Sequence, residues 1–283
     1  MSSSFYCAAK DGTRLHALQW GPKGSEATPL LCLPGLTRNG RDFEPVASEF
    51  LSTRSIIAAD FRGRGKSGYA DPTTYRPDVE LADAITLLDR LRIERVAVLG
   101  TSRGGIVGVL MANLHPSRIA GLCLVDVGPV LEADGLLRIA GHLGKPTRFA
   151  DWHEAAAALQ KSSYGFASVS DATWEAAARR IFVARNGSVQ PDYDMALANN
   201  FPSAADIKQG KIADLWPLVP ALAKIPLGLL RGSGSDLLSQ ATVQKMKEAL
   251  PHLHHTEVPG RGHVPFLDEP ESIAAIREWL GQV

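Results

Sequence analysis

The sequence predicts an α/β fold in which helices flank a mostly parallel β-sheet. Short, nearly continuous apolar runs with strand character alternate with segments of helical periodicity, up to about residue 126 and again from residue 226. Such runs are typical of parallel strands that are buried on both faces of a sheet. Strands that alternate with helices also supply the crossover connections that parallel pairing requires.

The predicted elements follow the chain as an N-terminal hairpin and then as strand–helix units. The hairpin strands, FYCAA and RLHALQW, flank Asp11-Gly12, a dipeptide typical of tight turns. The predicted parallel strands cover residues 29–33, 55–59, 96–99, 119–126, 226–230 and 254–258. The predicted helices cover residues 78–92, 105–114, 239–250 and 271–280.

The alternation of strands and helices stops in the middle of the chain. Residues from about 130 to 217 are rich in Ala, Arg, Trp and Asp, with helical segments at 152–161 and 172–184 and no convincing buried strand. We therefore predict a core domain formed by residues 1–129 and 218–283, interrupted by a helical cap of residues 130–217.

Composition and charge bear on the possible partners. Of 283 residues, 45% are hydrophobic and 21% are charged, which allows a large core. The 30 Lys and Arg residues balance the 30 Asp and Glu residues, so nothing favours nucleic acid or an anionic membrane surface as a partner.

No apolar stretch approaches the roughly 20 residues that span a bilayer, and the N-terminus lacks the pattern of a signal peptide.

The cysteines indicate a reducing compartment. Cys7, Cys32 and Cys123 are odd in number and widely spaced, and the last two lie in apolar runs where cysteine behaves as a small buried hydrophobe. A disulfide framework is therefore not expected. We predict a cytoplasmic protein that is a monomer or a homodimer.

The segment VAVLGTSRGGIV contains the motif G-x-S-x-G, with Gly100, Ser102 and Gly104 where a predicted strand meets a predicted helix. In this setting the serine occupies a sharp, strained turn, and glycines are needed two positions before and after it. The turn presents the serine oxygen at the carboxyl end of the sheet, next to a helix N-terminus that favours negative charge. We predict that Ser102 is a nucleophile. The alternatives are a glycine-rich turn with an incidental serine, and a phosphate-binding loop, whose lysine and glycine spacing are absent.

A nucleophilic serine needs a base, and His263 is the predicted one. It lies in PGRGHVPF, between the last predicted strand and the last predicted helix, at the same end of the sheet as Ser102. A surface histidine is the alternative. His252, His254 and His255 begin a strand at the opposite rim and lack acidic or cysteine ligands at usable spacing, so no metal site is expected.

The acid that orients the histidine is expected between the serine and the histidine in chain order. Asp236 follows the predicted strand 226–230 and is the residue we predict for this role. Two alternatives stay open: Asp236 caps a helix N-terminus instead, or the acid is Asp126, at the end of the predicted strand 119–126.

With these motifs the chain resembles the α/β-hydrolase superfamily over nearly its whole length. Besides GTSRGG and GRGH, the segment DFRGRGKS, which starts at Asp60, is similar to the D-x-R-G-x-G-x-S loop common in that superfamily. The segment 130–217 resembles its helical cap. The resemblance implies an eight-stranded, mostly parallel sheet flanked by helices, and chemistry that needs no metal or organic cofactor.

The resemblance also implies an oxyanion hole. Its two donors are the backbone N–H groups of Leu36, in the turn after an early strand, and of Arg103, directly after the nucleophile. Pro34 departs from the histidine that many relatives carry before the glycine of that turn, but leaves the Leu36 amide in place.

The residues beside the motifs narrow the reaction that the resemblance implies. Serine at position 102 disfavours haloalkane dehalogenases and epoxide hydrolases, which carry aspartate there. Thr101 and Val264 replace the asparagine and tryptophan that C–C hydrolases often have. We therefore predict a carboxylic ester hydrolase that cleaves a small-molecule ester or lactone through an acyl-enzyme on Ser102. The alternatives are a C–C bond hydrolase acting on a ring-cleavage dienone acid, and a non-enzymatic ligand-binding receptor with the same fold.

The predicted cap supplies large polar and aromatic candidates for contact with the substrate. They are Arg138, His142, Trp152, Tyr164, Trp174, Arg180 and Trp216. We expect most of them to pack or to face solvent, and one or two to line the pocket. An arginine in the pocket would suit a substrate that carries a carboxylate.

Overall fold

An eight-stranded, mostly parallel sheet with helices on both faces forms the centre of the computed structural model, which describes residues 2–22 and 24–283. This architecture confirms the predicted fold class. The elements up to the sixth strand are β1 (Ser3–Ala8), β2 (Arg14–Trp20), β3 (Leu30–Leu33), α1 (Glu44–Phe50), β4 (Ile56–Asp60), α2 (Pro77–Arg90), β5 (Val96–Thr101), α3 (Arg103–Leu114) and β6 (Ile119–Val125). The short helix α1 was not predicted, whereas β1 and β2 pair as the predicted hairpin.

The next part of the chain is an insertion between neighbouring strands of the sheet. Its elements are α4 (Ala133–His142), α5 (Trp152–Ser162), α6 (Asp171–Ile181), β7 (Phe182–Arg185), β8 (Ser188–Pro191) and α7 (Ala204–Lys208). The chain then returns to the sheet with β9 (Leu227–Gly232), α8 (Gln240–Ala249), β10 (His254–Val258) and α9 (Pro270–Leu280).

The insertion also contains a two-stranded sheet that was not predicted, in which β7 pairs antiparallel with β8. Residues 182–184 belong to the predicted helix 172–184, but the helix in the structure ends at Ile181. The two strands are short and mostly part-exposed, so they lack the buried apolar run that marks the other strands. The missed signal is Asn186-Gly187, whose φ angles of 52° and 75° are those that a tight hairpin turn requires.

The order of the strands brings the loops with candidate residues to one edge of the sheet. The order is β1-β2-β4-β3-β5-β6-β9-β10, and only the β1–β2 and β2–β4 pairs are antiparallel. The strands from β3 to β10 in this order run parallel to one another. The segments that follow β3, β5, β6, β9 and β10 therefore start side by side at the carboxyl edge.

Apolar side chains fix the sheet from both faces. On one face α2, α3 and α8 contribute buried residues such as Leu87, Val107 and Met246. On the other face α1 and α9 contribute Phe50 and Trp279. Burial of each such side chain stabilises the fold by roughly 1.5–3 kcal/mol. The carboxyl edge is therefore a rigid platform for the loops.

Two structural findings concern the predictions about membrane-spanning segments and cysteines. Nowhere in residues 2–22 and 24–283 does a helix combine the length and apolar character required to cross a membrane. Cys7, Cys32 and Cys123 are free thiols, and the last two are buried in β3 and β6. Burial raises the pKa of Cys123 to about 12, so this thiol stays protonated.

Candidate active site

Ser102 forms the turn between β5 and α3. Its backbone has φ 49° and ψ −111°, a conformation that costs free energy for a residue with a side chain. Its amide N–H donates to the carbonyl of Val125, the last residue of the neighbouring strand β6, at 2.9 Å. The sheet therefore holds the strained turn and presents the side chain at the carboxyl edge.

The two glycines of the motif allow this turn to close. A β-carbon on Gly100 would lie 2.6 Å from the backbone of Gly104. A β-carbon on Gly104 would lie 2.0 Å from the carbonyl oxygen of Leu33 in β3. Both distances are far below van der Waals contact, and both obstacles are backbone atoms. The spacing G-x-S-x-G is therefore required by the close approach of β3, β5 and α3.

The Gly104→Ala variant is expected to lose at least about 1–3 kcal/mol of unfolding free energy, because its methyl group forces β3 and α3 apart. Gly141→Ala is the matched control: Gly141 lies in α4, and a β-carbon there meets no atom within 4 Å. This control is expected to gain up to about 1 kcal/mol. Urea unfolding of both variants measures the difference, and equal stabilities would contradict the packing described for the turn.

The structure brings His263 to Ser102. His263 lies in the segment between β10 and α9, and its Nε2 is 3.0 Å from Ser102 Oγ. Both side chains are part-buried, so the pair is accessible from one side. The hydroxyl can donate its proton along this hydrogen bond, which is the geometry of a nucleophile with its base.

The carboxylate that contacts His263 belongs to Asp126, the first residue after β6. Its Oδ2 lies 2.7 Å from His263 Nδ1. The side chain is fully buried, and it also accepts hydrogen bonds from the amide of Gly232 at 3.0 Å and from Ser235 Oγ at 2.7 Å. These donors fix the position of the carboxylate, so it can orient the imidazole ring.

The structure corrects the choice of acid, because Asp236 does not contact His263. The Asp236 carboxylate pairs with Arg138, a residue of α4 in the insertion. The Arg138 guanidinium also lies over the ring of Tyr164, 5.2 Å from its centroid. Asp236 therefore connects the segment after β9 to the insertion.

Ser235 is a residue of the site that was not predicted. Its hydroxyl donates to Asp126 and accepts from the amides of Leu237 and Leu238 at 3.3 and 3.2 Å. It therefore fixes the segment after β9 against the carboxylate. In the sequence, Ser235 belongs to no motif that distinguishes it from other serines.

Leu36 and Arg103, whose backbone N–H groups are the predicted oxyanion donors, line the same cavity as Ser102. The turn that contains Leu36 is close to Ser102: a β-carbon built on Gly35 would lie 3.9 Å from Ser102 Cβ. Arg103 is the first residue of α3. Neither amide donates a hydrogen bond to any group in residues 2–22 or 24–283. Two free donors beside a nucleophile are the arrangement that stabilises an oxyanion.

A buried ion cluster connects the residues that carry these two amides. Arg64 donates from Nε to the carbonyl oxygen of Leu36 at 2.8 Å, and its Nη2 lies 2.8 Å from Glu80 Oε1. The other oxygen of Glu80 lies 3.1 Å from Arg103 Nε. Arg64 and Glu80 are fully buried. The cluster therefore fixes the Leu36 peptide and the Arg103 side chain relative to each other.

Tyr75 borders this cluster. Its carbonyl oxygen accepts from Arg103 Nη2 at 3.2 Å, and the Arg64 guanidinium lies 5.6 Å from its ring centroid. Burial raises the pKa of Tyr75 to about 12, so its hydroxyl stays protonated and donates to Asp194 at 2.7 Å.

A cavity of about 250 Å³ opens beside Ser102, and its walls are mostly apolar. The insertion contributes Leu136, Ile139, Leu197, Phe201 and Ile212. None of the seven large polar or aromatic residues that we considered in the insertion lines it. Trp174, for example, packs in a separate apolar cluster with Phe166 of the insertion and Phe266 of the segment between β10 and α9. Sequence alone could not distinguish these packing residues from residues that face the cavity.

The same three residue types meet a second time, at Ser4, His16 and Asp60. His16 Nε2 lies 3.0 Å from Ser4 Oγ, and its Nδ1 lies 2.7 Å from Asp60 Oδ2. However, Ser4 is an exposed residue of the regular strand β1, and it does not line the cavity beside Ser102. Asp60 also accepts from the amides of Gly40 and Lys66, so the group anchors the loop that follows β4.

The three histidines near β10 contact backbone carbonyl groups or glutamate side chains. His252 bonds to backbone carbonyl groups, whereas His254 and His255 lie near Glu278 and Glu257. Within the described part of the chain, no group of three or more His, Cys, Asp or Glu residues has the arrangement of a metal site.

Comparison with known proteins identifies the family. Residues 30–276 match the model of the alpha/beta hydrolase family. The chain is 36% identical to a 3-hydroxybutyrate-oligomer hydrolase of Cupriavidus necator over 92% of this chain and 91% of the relative. It is 26% identical to a pimeloyl-[acyl-carrier protein] methyl ester esterase of Edwardsiella ictaluri over 92% and 96% of the two chains. The crystal structure of an alpha/beta hydrolase from Novosphingobium aromaticivorans superposes with a TM-score of 0.91 at 41% identity, covering 100% of this chain and 99% of that one. The protein is a hydrolase of the alpha/beta hydrolase family.

Proposed function

We propose that the protein hydrolyses a small carboxylic ester through an acyl-enzyme on Ser102. The observation that carries the proposal is the continuous hydrogen-bonded chain from Asp126 through His263 to Ser102, at the edge of a cavity. A serine with a base and an oriented imidazole is the arrangement that acyl transfer needs.

The geometry supports a two-step reaction. Ser102 Oγ attacks the ester carbonyl while His263 Nε2 takes its proton, and the amides of Leu36 and Arg103 donate to the oxyanion. Asp126 stabilises the imidazolium that forms. The tetrahedral intermediate collapses as His263 returns the proton to the leaving alcohol, which leaves the acyl group on Ser102. Water then attacks the acyl group, with its proton passing to His263, and the acid is released as the proton returns to Ser102 Oγ.

The cavity and the relatives favour a small ester as the substrate. A volume of about 250 Å³ lies below the roughly 300–1,000 Å³ of pockets for drug-sized ligands. Apolar walls suit a short acyl chain. An oligomer of a hydroxy acid, the substrate class named for the Cupriavidus necator relative, is joined by ester bonds. We therefore propose short linear esters, including short 3-hydroxybutyrate oligomers, as the substrates of this chain.

A panel of substrates, each assayed for its hydrolysis under the same conditions, tests this proposal. The panel contains p-nitrophenyl acetate, longer-chain p-nitrophenyl esters, the linear dimer of 3-hydroxybutyrate, small lactones and a ring-cleavage dienone acid. We expect the highest kcat/KM for the short linear esters, falling as the acyl chain outgrows the cavity. Turnover of the lactones alone would mean that the substrate is a cyclic ester rather than a linear one. Turnover of the dienone acid alone would mean C–C hydrolysis. No turnover together with tight ligand binding would mean a receptor.

A further inference from the structure

Among the described residues that line the cavity, Arg103 is the only charged one. The other polar contributors are Ser102 and Asn200, and the remaining lining residues are apolar. One fixed positive charge in an apolar cavity favours a ligand that brings a negative charge to the same place. The side chain follows the nucleophile directly in the chain, so such a charge would lie close to the reacting carbonyl.

The contacts of Arg103 leave one of its nitrogens free. Nε lies 3.1 Å from Glu80 Oε2, and Nη2 donates to the Tyr75 carbonyl oxygen at 3.2 Å. Nη1 makes no hydrogen bond with residues 2–22 or 24–283, the Nε–Glu80 contact is an ion pair without hydrogen-bond geometry, and the side chain keeps 16% of its surface exposed. The guanidinium is therefore fixed on one side and open on the other.

Glu80 cannot neutralise this guanidinium alone, because it is shared. Its second oxygen pairs with Arg64, so two guanidinium groups face one carboxylate. Asp83, one turn along the same helix α2, is already bound by Arg62 through both of its oxygens. Two guanidinium groups therefore share the Glu80 carboxylate, and Arg103 is the one of the two that lines the cavity.

We propose that Arg103 binds a carboxylate of the substrate, so that the preferred substrates are short esters that also carry a free carboxylate. This inference rests on the proposed ester hydrolysis and names the substrate class of the same site. Arg103 thus has two separate roles: its backbone N–H donates to the oxyanion, and its side chain binds the carboxylate. The carboxylate holds the ester against Ser102 before the chemical step, so its loss acts mainly on KM.

Matched carboxylate and amide substrates isolate the charge, because the primary amide has nearly the same shape and adds no second ester. One pair is 3-acetoxybutyrate and 3-acetoxybutyramide, with the charge on the alcohol side. The other pair is monomethyl succinate and methyl succinamate, with the charge on the acyl side. We expect wild type to prefer the carboxylate member of at least one pair by about 10–100-fold in kcat/KM, mostly through KM.

The variants locate this preference. Arg103→Met is expected to reduce the preference to about one, whatever it does to the rates of both substrates, and Arg103→Lys is expected to keep part of it. Arg148→Met removes the same charge from an exposed position of the insertion that does not line the cavity, and it should keep the wild-type preference. If Arg103→Met retains the full preference, the assignment of the carboxylate to Arg103 is wrong.

Two further measurements separate this inference from the proposed function. p-Nitrophenyl acetate reports ester hydrolysis without a carboxylate. Its turnover by wild type, together with equal kcat/KM within both substrate pairs, would overturn the carboxylate site and leave the esterase proposal intact. Ligand-observed NMR on Ser102→Ala compares 3-hydroxybutyrate with 3-hydroxybutyramide. Preferential binding of the acid by Ser102→Ala, together with no turnover of any ester by wild type, would support the carboxylate site and overturn the esterase proposal.

Discussion

Replacing Ser102 with alanine is expected to lower kcat for ester hydrolysis by about 10³–10⁶-fold. The change removes the hydroxyl that lies on the strained turn and 3.0 Å from His263 Nε2. Residual turnover would come from binding and from the amides of Leu36 and Arg103. Steady-state kinetics with p-nitrophenyl acetate measures the loss. Urea unfolding verifies that the variant is folded, since alanine keeps a side chain no larger than serine in the same backbone conformation.

Ser4→Ala is the matched control. Ser4 also contacts a histidine that contacts an aspartate, but on a regular strand outside the cavity. Its replacement is expected to leave kcat unchanged. A loss in Ser4→Ala comparable to that in Ser102→Ala would mean that the hydrogen-bonded residue types alone, and not the turn and cavity, determine activity.

The second large effect is expected for Asp126→Asn, which should lower kcat by about 10⁴-fold. The asparagine amide can donate to His263 Nδ1, and the ring then holds its proton on Nε2. A ring in that tautomer cannot accept the proton of Ser102. Asparagine also leaves the imidazolium without a buried negative charge. Steady-state kinetics and thermal unfolding of the same preparation separate this effect from loss of structure.

Asp236→Asn is the matched variant for the acid. It removes the ion pair with Arg138 and leaves the contact between Asp126 and His263 in place. We expect kcat to stay within a few-fold of wild type. If Asp236→Asn loses activity by orders of magnitude and Asp126→Asn does not, Asp126 is not the residue that orients His263.

Much of the fold could be predicted because the strands are strongly patterned. Every residue of β3, β4, β5, β6 and β9 is buried, and such strands leave long apolar runs in the sequence. The turn at Ser102 could also be predicted, since the close approach of three backbones admits only glycine at two positions. In both cases the local sequence reports a physical requirement that is itself local.

The identity of the acid could not be decided in the same way. Asp126 and Asp236 both follow strands of the sheet, and those strands, β6 and β9, are neighbours. Chain order fits both residues. The difference lies in the conformation of the segment after β9, which directs Ser235 toward Asp126 and Asp236 toward Arg138. The available signal was the position of Asp126, a charged residue directly after a buried strand.

The walls of the cavity could not be predicted from the sequence either. Trp174 of the insertion packs in an apolar cluster away from the cavity, whereas leucines, isoleucines and Phe201 of the insertion line the cavity beside Ser102. The pairing of Glu80 with Arg64 and Arg103 joins distant parts of the chain. Such long-range contacts leave no periodicity or spacing that a single sequence reports.

Site-mapped labelling with a fluorophosphonate tests the central claim most directly, because this reagent reacts preferentially with a hydroxyl that a neighbouring base activates. We predict one label per chain, on the peptide that contains Ser102, and no label in Ser102→Ala or His263→Ala. Ser4→Ala should label as wild type does. A wild-type protein that takes up no label, or a label on any other residue that persists in Ser102→Ala, would contradict the assignment of Ser102 as the nucleophile.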